Sequence, residues 1–496
     1  MDVVKYQRVF GKPLDLAPAG KRFPPHFFNQ HQPRPDSPST HLSRSPPMKS
    51  TYPSYCDGVP RRDFLRIGAL TGFGVGLTLE SFLAGQAAAA SPSVAGGPLY
   101  AGDAKATPAK AKAAIFIRLG GGPSHMDTFD LKPDAPDTHR GEFKPIATNV
   151  DGIQISEHLP KLAKCADKYA ILRGVSHTLA AHELGSLYMG TGNRPIASLS
   201  FPSFGAVVSK ELGSEMELPG FVAVPSQGSN STGYLGVEYG PFETGASPVA
   251  GKPMEVRGLA LRGVTLTDVD RRQNMVEKYD TAFGDFAKED KILSGMNQFG
   301  QKAYQMMRST KAREAFDLSH EPASISGLFG ATPFSQSCLL ASRLVESGVR
   351  FVTVQLGGWD THSDNFAALK NSRLPDLDAG LSGLLLALEA KGLLATTAVY
   401  VTGEFGRTPK INPRAGRDHY PRAMFCLLAG GGIRGGQVVG ASDDKGEGPK
   451  DKAITPDDVA ATFYGQLGID VRKEYLTPSG RPVMIVRNGE VLRDLV

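Results

Sequence analysis

The chain has 496 residues, of which 41% are hydrophobic and 21% are charged, the composition of an ordinary globular protein. Its formal net charge is only +5, and no dense run of Lys and Arg mixed with aromatic residues is present, which argues against a nucleic-acid-binding protein. The four cysteines, Cys56, Cys165, Cys338 and Cys426, lie far apart in the sequence. Neither a CxxC metal site nor a dense disulfide framework is therefore expected.

Residues 1–47 are rich in proline and carry no periodic apolar pattern, so this segment cannot bury a core. Met48 stands shortly before a pair of arginines, where a signal peptide should begin. We interpret 1–47 as a gene-call extension upstream of a start at Met48. A genuine disordered leader is the alternative.

Residues 48–90 have the order of regions that is typical of a bacterial signal peptide. Arg61 and Arg62 head a segment that resembles the twin-arginine (Tat) signal, and small residues at 86–91 offer a cleavage site. The apolar run between them is short and contains Glu80, so it does not predict a membrane-spanning helix. We expect the Tat export machinery as a partner and a periplasmic or otherwise extracytoplasmic location.

The rest of the chain alternates strand-like and helical patterns. Residues 91–111 are rich in Ala, Gly, Pro and Ser and are interpreted as a linker to a domain at 112–490. The predicted strands are 113–119, 170–175, 221–224, 350–356, 397–402 and 424–429. The predicted helices are 158–168, 184–189, 204–212, 377–390 and 457–467. This alternation predicts an α/β fold, a doubly wound, mostly parallel sheet with helices on both faces. Residues 226–335 are interpreted as a helical and loop insertion that walls one end of the sheet.

The first predicted strand runs directly into a glycine-rich loop at 120–122, which His125 and Asp127 follow. The glycines let the backbone turn tightly and approach a ligand, and successive N–H groups there can form an anion nest. The loop has neither GxGxxG nor a P-loop ending, so a nucleotide-binding motif is not supported.

His177 and His182 follow the second predicted strand and stand where a helix begins. A helix N-terminus favours anions, so both imidazoles are candidates for acid–base work beside a bound ligand. Residue 186 is serine, so His182 does not begin an HExxH motif and a zincin is excluded. The alternative is a capping and packing role for both histidines.

Two further strands deliver polar residues to the same predicted edge of the sheet. Asp360 and His362 follow the strand at 350–356, while Glu404 and Arg407 follow the strand at 397–402. Ligands of open α/β sheets bind beyond the carboxyl ends of the strands, and Asp and His suit zinc, iron or manganese. The alternatives are a solvated loop for the first pair and a salt bridge for Arg407.

Four segments carry a resemblance to a known family. The motifs at 120–130, 357–362, 404–409 and 416–421 resemble those of the DUF1501 family, and the similarity extends over roughly 112–490. This family in turn is similar to the alkaline phosphatase/sulfatase superfamily, which implies a doubly wound α/β sheet with one or two metals at the strand ends.

The resemblance also implies a set of ligands. By position, the implied metal ligands are Asp360, His362, His419, Glu404, Asp127 and His125. Asp360, His362 and His419 would share one metal. Glu404 takes the place of an Asp that binds a second metal. Asp127 or His125 takes the place of the carboxylate that follows the first strand. His182 stands at the position where the superfamily has its nucleophile.

These observations predict an exported, metal-dependent hydrolase that acts on sulfate or phosphate esters of small molecules or polysaccharides. The cofactor is a divalent metal: zinc, calcium or manganese. His182 or His177 would act as acid or base, and Arg407 would stabilise developing negative charge. The alternative is a non-catalytic exported binding protein that keeps the fold with a degenerate site, because the nucleophile position carries an imidazole.

Overall fold

The computed structural model describes residues 109–214, 217–228, 232–254, 256, 267–268, 270–271 and 304–496. The predicted leader, signal peptide and most of the linker lie outside the described residues, as does part of the predicted insertion. Within the described part of the chain, none of the helices has the length and apolar character needed to cross a bilayer.

The described residues form fourteen strands, numbered in chain order. They are β1 Ala113–Gly120, β2 Pro145–Ala147, β3 Gln154–Ser156, β4 Tyr169–Val175, β5 Phe221–Val224, β6 Phe242–Glu243, β7 Phe351–Gly357, β8 Thr397–Thr402, β9 Gly406–Arg407, β10 His419–Tyr420, β11 Met424–Ala429, β12 Gln437–Val439, β13 Glu474–Leu476 and β14 Pro482–Met484. Eight of them build one sheet in the order β12-β4-β11-β8-β1-β7-β5-β6. The other six form two-stranded ribbons: β2 with β3, β9 with β10, and β13 with β14.

Ten α-helices are described as well: α1 Asp137–Arg140, α2 Pro160–Ala163, α3 His182–Thr191, α4 Phe204–Leu212, α5 Thr310–Phe316, α6 Ala323–Ser326, α7 Pro333–Ser347, α8 Asn365–Ala368, α9 Leu374–Ala390 and α10 Pro456–Gln466. Single turns of 3-10 helix lie at Ala166–Lys168, Val237–Tyr239, Leu318–His320, Leu394–Thr396 and Arg493–Leu495. A π-turn at Leu369–Arg373 leads into α9.

The direction of the strands decides which loops meet. Strand β1 lies between β7 and β8 and is parallel to both, with Ile117 opposite Val354 on one side and Val401 on the other. Strand β11 is antiparallel to both of its neighbours, β8 and β4. The amino end of β11 therefore lies at the same edge of the sheet as the carboxyl ends of β1, β4, β7 and β8.

Both faces of the sheet are covered, which explains why its central strands are apolar along their whole length. In β8 all six residues are buried. Val399 and Val401 join one core cluster, to which α7 and α9 contribute, whereas Ala398 and Tyr400 join a second, to which α4 and α10 contribute. The predicted doubly wound, mostly parallel α/β fold is thus confirmed, with β11 as the antiparallel member.

The predicted elements match the observed ones closely where the sequence pattern is strong. All six predicted strands are present, and their ends differ by at most one residue from β1, β4, β5, β7, β8 and β11. The predicted helix at 158–168 is instead the short α2 followed by a 3-10 turn. Helix α7 was not predicted, because the boundary set at 335 fell inside it. The edge strand β6, within 226–335, pairs with β5 and so belongs to the main sheet.

Candidate metal centre

Three histidines surround the carboxylate of Asp360 at the edge of the sheet described above. Asp360 Oδ2 lies 3.3 Å from His182 Nε2, while Asp360 Oδ1 lies 3.0 Å from His362 Nε2 and 3.1 Å from His419 Nε2. The four side chains come from three elements: His182 from the start of α3, Asp360 and His362 from the loop after β7, and His419 from β10. We call this set, Asp360 with His182, His362 and His419, the histidine cluster.

The glycine-rich loop after β1 is what holds Asp360 in place. Gly121 has a φ of +115°, and a Cβ built on it would lie 2.3 Å from the backbone nitrogen of Asp360. The amide of Trp359 also donates to the carbonyl of Gly120 at 3.1 Å. Only a glycine allows this backbone approach, so the loop has a packing role beside the Asp360 segment.

His419 reaches the cluster through a two-stranded ribbon. Strand β10 is antiparallel to β9, with His419 opposite Arg407 and Tyr420 opposite Gly406. His419 therefore lies beside the segment that follows β8, although it precedes β11 rather than following a strand as expected. The reversed direction of β11 is the reason that it still faces the common edge.

Each imidazole has its outer nitrogen bonded to an oxygen. The three pairs are His182 Nδ1 with Glu404 Oε1 at 2.7 Å, His362 Nδ1 with Asp418 Oδ1 at 2.6 Å, and His419 Nδ1 with the carbonyl of Ala180 at 2.8 Å. A carbonyl or an ionised carboxylate accepts and does not donate, so Nδ1 carries the proton in all three rings. In the neutral imidazole, Nε2 is then a free acceptor, and in each ring it points into the cluster.

The ligand atoms of His182, Asp360 and His419 all lie within 4.8 Å of one another, close enough to share one ion. His362 Nε2 adjoins this group and lies 3.0 Å from His419 Nε2. Acceptor nitrogens and a carboxylate this close together repel one another unless a cation or protons lie between them. The arrangement matches that of histidines that bind a metal, in which the ring nitrogen away from the metal donates to an oxygen.

The buried side chain of Arg407 holds the carboxylate of Asp360 in place. Its guanidinium is fully buried and donates to Asp360 Oδ1 at 2.6 Å, to Gly122 O at 2.8 Å and to Arg417 O at 3.1 Å, with a further bond to Gly121 O. Partial burial alone would raise the pKa of Asp360, but the hydrogen bond and the positive charge of Arg407 outweigh it and lower that pKa to about 2. The carboxylate is therefore held ionised and oriented.

Glu404 lies behind His182 rather than among the inner atoms. Its buried Oε1 accepts from the amide of Gly121 at 2.8 Å as well as from His182 Nδ1. Glu404, which was predicted to be a metal ligand, thus accepts a hydrogen bond from the ring of His182. The other ring nitrogen of His182, which was predicted to act as an acid or base, points toward Asp360. In this geometry His182, and not Glu404, presents an atom to Asp360.

His177 is a buried residue outside the cluster. Its Nε2 donates to the carbonyl of Glu404 at 2.9 Å, and its Nδ1 accepts from the amide of Leu179 at 3.1 Å. Burial lowers the pKa of His177 to about 4, so the ring is neutral near pH 7. Nε2 ties the ring to the 404 segment and Nδ1 ties it to Leu179, which corresponds to the packing alternative considered for this residue.

His125 and Asp127 are not brought into the cluster. Asp127 is fully buried and binds Arg417 at 2.8 Å and 3.0 Å through its two oxygens. His125 Nε2 donates to the carbonyl of Gly446 at 2.9 Å, and burial lowers the pKa of this ring. The carboxylate and imidazole expected at the first strand therefore tie the loop after β1 to the loops at 417 and 446.

Two partners in the site were missed by reasoning from sequence. Asp418 stands directly before a candidate ligand, so its position beside His362 was in principle suggested by the motif at 416–421. The carbonyl of Ala180 has no signal in the sequence, because any residue supplies the same oxygen. Arg417, which follows Gly416 in the same motif, is fully buried and pairs with Asp127.

The family model described as "Protein of unknown function (DUF1501)" matches residues 111–496, so the chain belongs to the DUF1501 family, as predicted. Among curated proteins no match is found. Similar solved structures include Ps i-CgsB in complex with k-i-k-neocarrahexaose (10% identity, TM-score 0.34, 73% of each chain) and the PsFucS1 sulfatase from Pseudoalteromonas sp. (12%, 0.34, 73% of this chain and 68% of that one).

A third similar structure is the lipoteichoic acid synthase LtaP from Listeria monocytogenes, at 10% identity and a TM-score of 0.29 over 76% of this chain and 75% of that one. Similarities with TM-scores this low carry no argument about activity. The function must therefore be argued from the histidine cluster itself.

Proposed function

We propose that the protein is an exported, metal-dependent hydrolase of sulfate or phosphate esters, and that the histidine cluster is its centre. One observation carries this proposal: the Nε2 atoms of His182, His362 and His419 all lie within 3.3 Å of a carboxylate oxygen of Asp360. The chemistry of this donor set fits a divalent metal, because neutral imidazole nitrogens and a carboxylate are common metal ligands.

A divalent metal held there would supply Lewis-acid polarisation of an ester oxygen. The protein's own groups do the rest. Arg407 keeps Asp360 ionised and in one orientation, while Glu404, Asp418 and the carbonyl of Ala180 orient the three rings. Because such groups are fixed before a ligand arrives, no reorganisation is needed when it binds.

The cluster is open to a ligand. The side chain of Asp360 is 44% exposed and that of His182 is 41% exposed, although the buried Arg407 and Glu404 hold them in place. An ester group can therefore approach the cluster from solvent. His177 lacks this access, so of the two predicted acid–base histidines His182 alone stands where it can meet a substrate.

The competing proposal is a non-catalytic exported binding protein, and one observation favours it. The guanidinium of Arg407 is fully buried, and its bonds go to main-chain carbonyls and to Asp360. The guanidinium is therefore not exposed to a substrate that approaches from solvent. With an imidazole at the nucleophile position as well, a metal site without turnover is the second candidate.

Metal content and turnover separate the two proposals. The full chain, stripped with a chelator and reloaded with zinc, manganese or calcium, is assayed on a panel of aryl sulfates and aryl phosphates. We expect turnover by the reloaded protein, and loss of both metal and turnover in Asp360→Ala, because a carboxylate ligand is removed outright. The exposed Asp444 offers the control, since Asp444→Ala should change neither. Tight metal binding without turnover of any ester would favour the binding protein.

A further inference from the structure

We propose that the histidine cluster is one three-imidazole, one-carboxylate centre that selects a zinc- or iron-type cation over calcium and magnesium. We further propose that Glu404 and Asp418 are positioning residues that hold its rings in one tautomer. This inference deepens the proposed function and rests on its metal. It differs from the ligand set that the resemblance implied, since His182 joins the set and Glu404 leaves it.

The hydrogen-bond partners decide the tautomers. Ala180 offers a carbonyl oxygen, which can only accept, so His419 Nδ1 must be the donor at 2.8 Å. Glu404 Oε1 already accepts from the amide of Gly121, and the same oxygen lies 2.7 Å from His182 Nδ1, which donates to it. His362 Nδ1 lies 2.6 Å from Asp418 Oδ1 and donates to that carboxylate oxygen. All three rings are thus set to present Nε2.

The resulting donor set has a clear preference among cations. Three neutral nitrogens and one carboxylate oxygen carry a single negative charge between them. Calcium takes six to eight oxygen ligands and magnesium an octahedron rich in oxygen, and neither demand is met here. Imidazole suits zinc, iron, copper and nickel, and three histidines with one carboxylate can surround such an ion.

The supporting residues are themselves fixed in the structure. The main-chain carbonyl of Glu404 accepts from His177 Nε2 at 2.9 Å, so the residue is held through both its backbone and its side chain. The backbone of Asp418 is anchored as well, since its N–H donates to Thr408 Oγ1 at 3.0 Å. Carboxylates that hold the outer nitrogen of a ligating histidine orient the ring and raise its basicity.

The test uses the full chain, freed of metal with a chelator. Zinc affinity is measured by competition with a chromophoric chelator, with calcium and magnesium as competitors, and the visible absorption of the cobalt-loaded protein reports the ligand set. We expect zinc to bind with neither calcium nor magnesium displacing it. Glu404→Gln and Asp418→Asn should each weaken zinc binding about 10–100-fold. The cobalt spectrum should change in His182→Ala and in His362→Ala.

Matched controls remove a carboxylate charge elsewhere. Glu389 pairs with Lys168 at 2.6 Å, away from the cluster, and Asp444 is exposed. Glu389→Gln and Asp444→Asn should leave zinc affinity and the cobalt spectrum unchanged. Since Asp418 is half exposed, Asp418→Asn should fold even if Glu404→Gln does not.

Two results would overturn the inference: displacement of zinc by an equal concentration of calcium, or zinc affinity in both carboxylate variants equal to that of the parent protein. These results differ from a failure of the proposed function. Selective zinc binding without turnover of any ester would contradict the proposed hydrolase function but would leave the proposed zinc-selective centre intact. Turnover supported equally by calcium would contradict the zinc-selective centre but would leave the hydrolase function intact.

Discussion

Arg407 and Asp360 form an ion pair at 2.6 Å in which the cation is fully buried and the anion is 44% exposed. The same guanidinium binds carbonyls of the glycine-rich loop after β1. One side chain therefore joins the carboxylate of the histidine cluster to the loop against which it packs. The pair therefore has two roles: it anchors the backbone of the site, and it keeps the carboxylate of Asp360 ionised.

Replacing Arg407 by lysine should destabilise the protein and weaken metal binding together. Lysine keeps the charge, but its single ammonium cannot reproduce the planar fork that binds three carbonyls and a carboxylate. Leaving a buried acceptor without its donor costs about 1–3 kcal/mol, so we expect a loss of about that size. Urea unfolding of the metal-free variant measures the loss. Arg472→Lys, in an exposed pair with Asp470, should show none, and equal stability of the two variants would contradict the scaffold role.

Gly121→Ala should abolish the histidine cluster by a collision and not by backbone strain alone. The new Cβ would lie 2.3 Å from the nitrogen of Asp360, so the loop must move. Gly152 also has a positive φ, +80°, but nothing lies within 4 Å of its added Cβ. We expect Gly152→Ala to lose about 1 kcal/mol with normal zinc affinity, and Gly121→Ala to lose clearly more, along with the metal. Equal losses in both variants would refute the collision.

Helix α3 offers a second matched pair of glycines. A Cβ on Gly185 would lie 2.9 Å from the carbonyl of Glu404, while one on Gly190 would contact nothing within 4 Å. Gly185→Ala should push α3, and with it His182, away from Asp360 and weaken zinc binding at least tenfold. Gly190→Ala should leave zinc binding intact and raise the stability of the helix by about 0.5–1 kcal/mol, because alanine is the better helix former. Unchanged zinc affinity in Gly185→Ala would show that the helix position does not matter.

The stability of the metal-free protein should fall as the pH drops from about 6.5 to about 4. His177 is buried and its pKa is lowered to about 4, whereas in the unfolded chain it has the ordinary value of 6.5. Between these two values the unfolded state binds a proton that the folded state does not, so acid favours unfolding. The contribution is on the order of 3 kcal/mol when it is complete.

Denaturant titrations at several pH values check this prediction, and the difference from a variant isolates His177. His177→Gln should be less stable at pH 7 but should lose less stability on acidification. His320, which is half exposed beside Asp317, provides the control, because His320→Gln should keep the full slope. A parent slope unchanged by His177→Gln would assign the acid sensitivity to other groups.

The strands could be predicted from sequence because burial on both faces leaves an unmistakable pattern. In β8 the run Thr397–Thr402 was predicted to the residue, since all six positions are buried and most are apolar or β-branched. Helix α7 was missed because the boundary set at 335 divided it, and the buried Ser335 and Ser337 at its start offered no apolar pattern to correct that boundary.

The site was predicted in part for a similar reason. The rule that ligands gather beyond the carboxyl ends of parallel strands placed Asp360, His362 and Glu404 at one edge. It could not say which side chains turn inward, because a ring's direction depends on partners such as Asp418 and a backbone carbonyl. His125 and Asp127 satisfied the same rule, yet their partners lie in the loops at 446 and 417, which no local spacing indicates.

The antiparallel position of β11 between β4 and β8 has a consequence for how the histidine cluster forms. His419 lies in β10, the strand just before β11, and contacts Ala180, which lies 239 residues earlier in the chain and shortly after β4. Before β11 takes its place between those two strands, His419 and His182 are joined only by a long, open loop whose closure is entropically costly. We expect that a chain truncated before residue 424, or one in which β11 has not yet inserted between β4 and β8, lacks the complete histidine cluster. The time at which the cobalt spectrum appears during refolding would then report when β11 inserts.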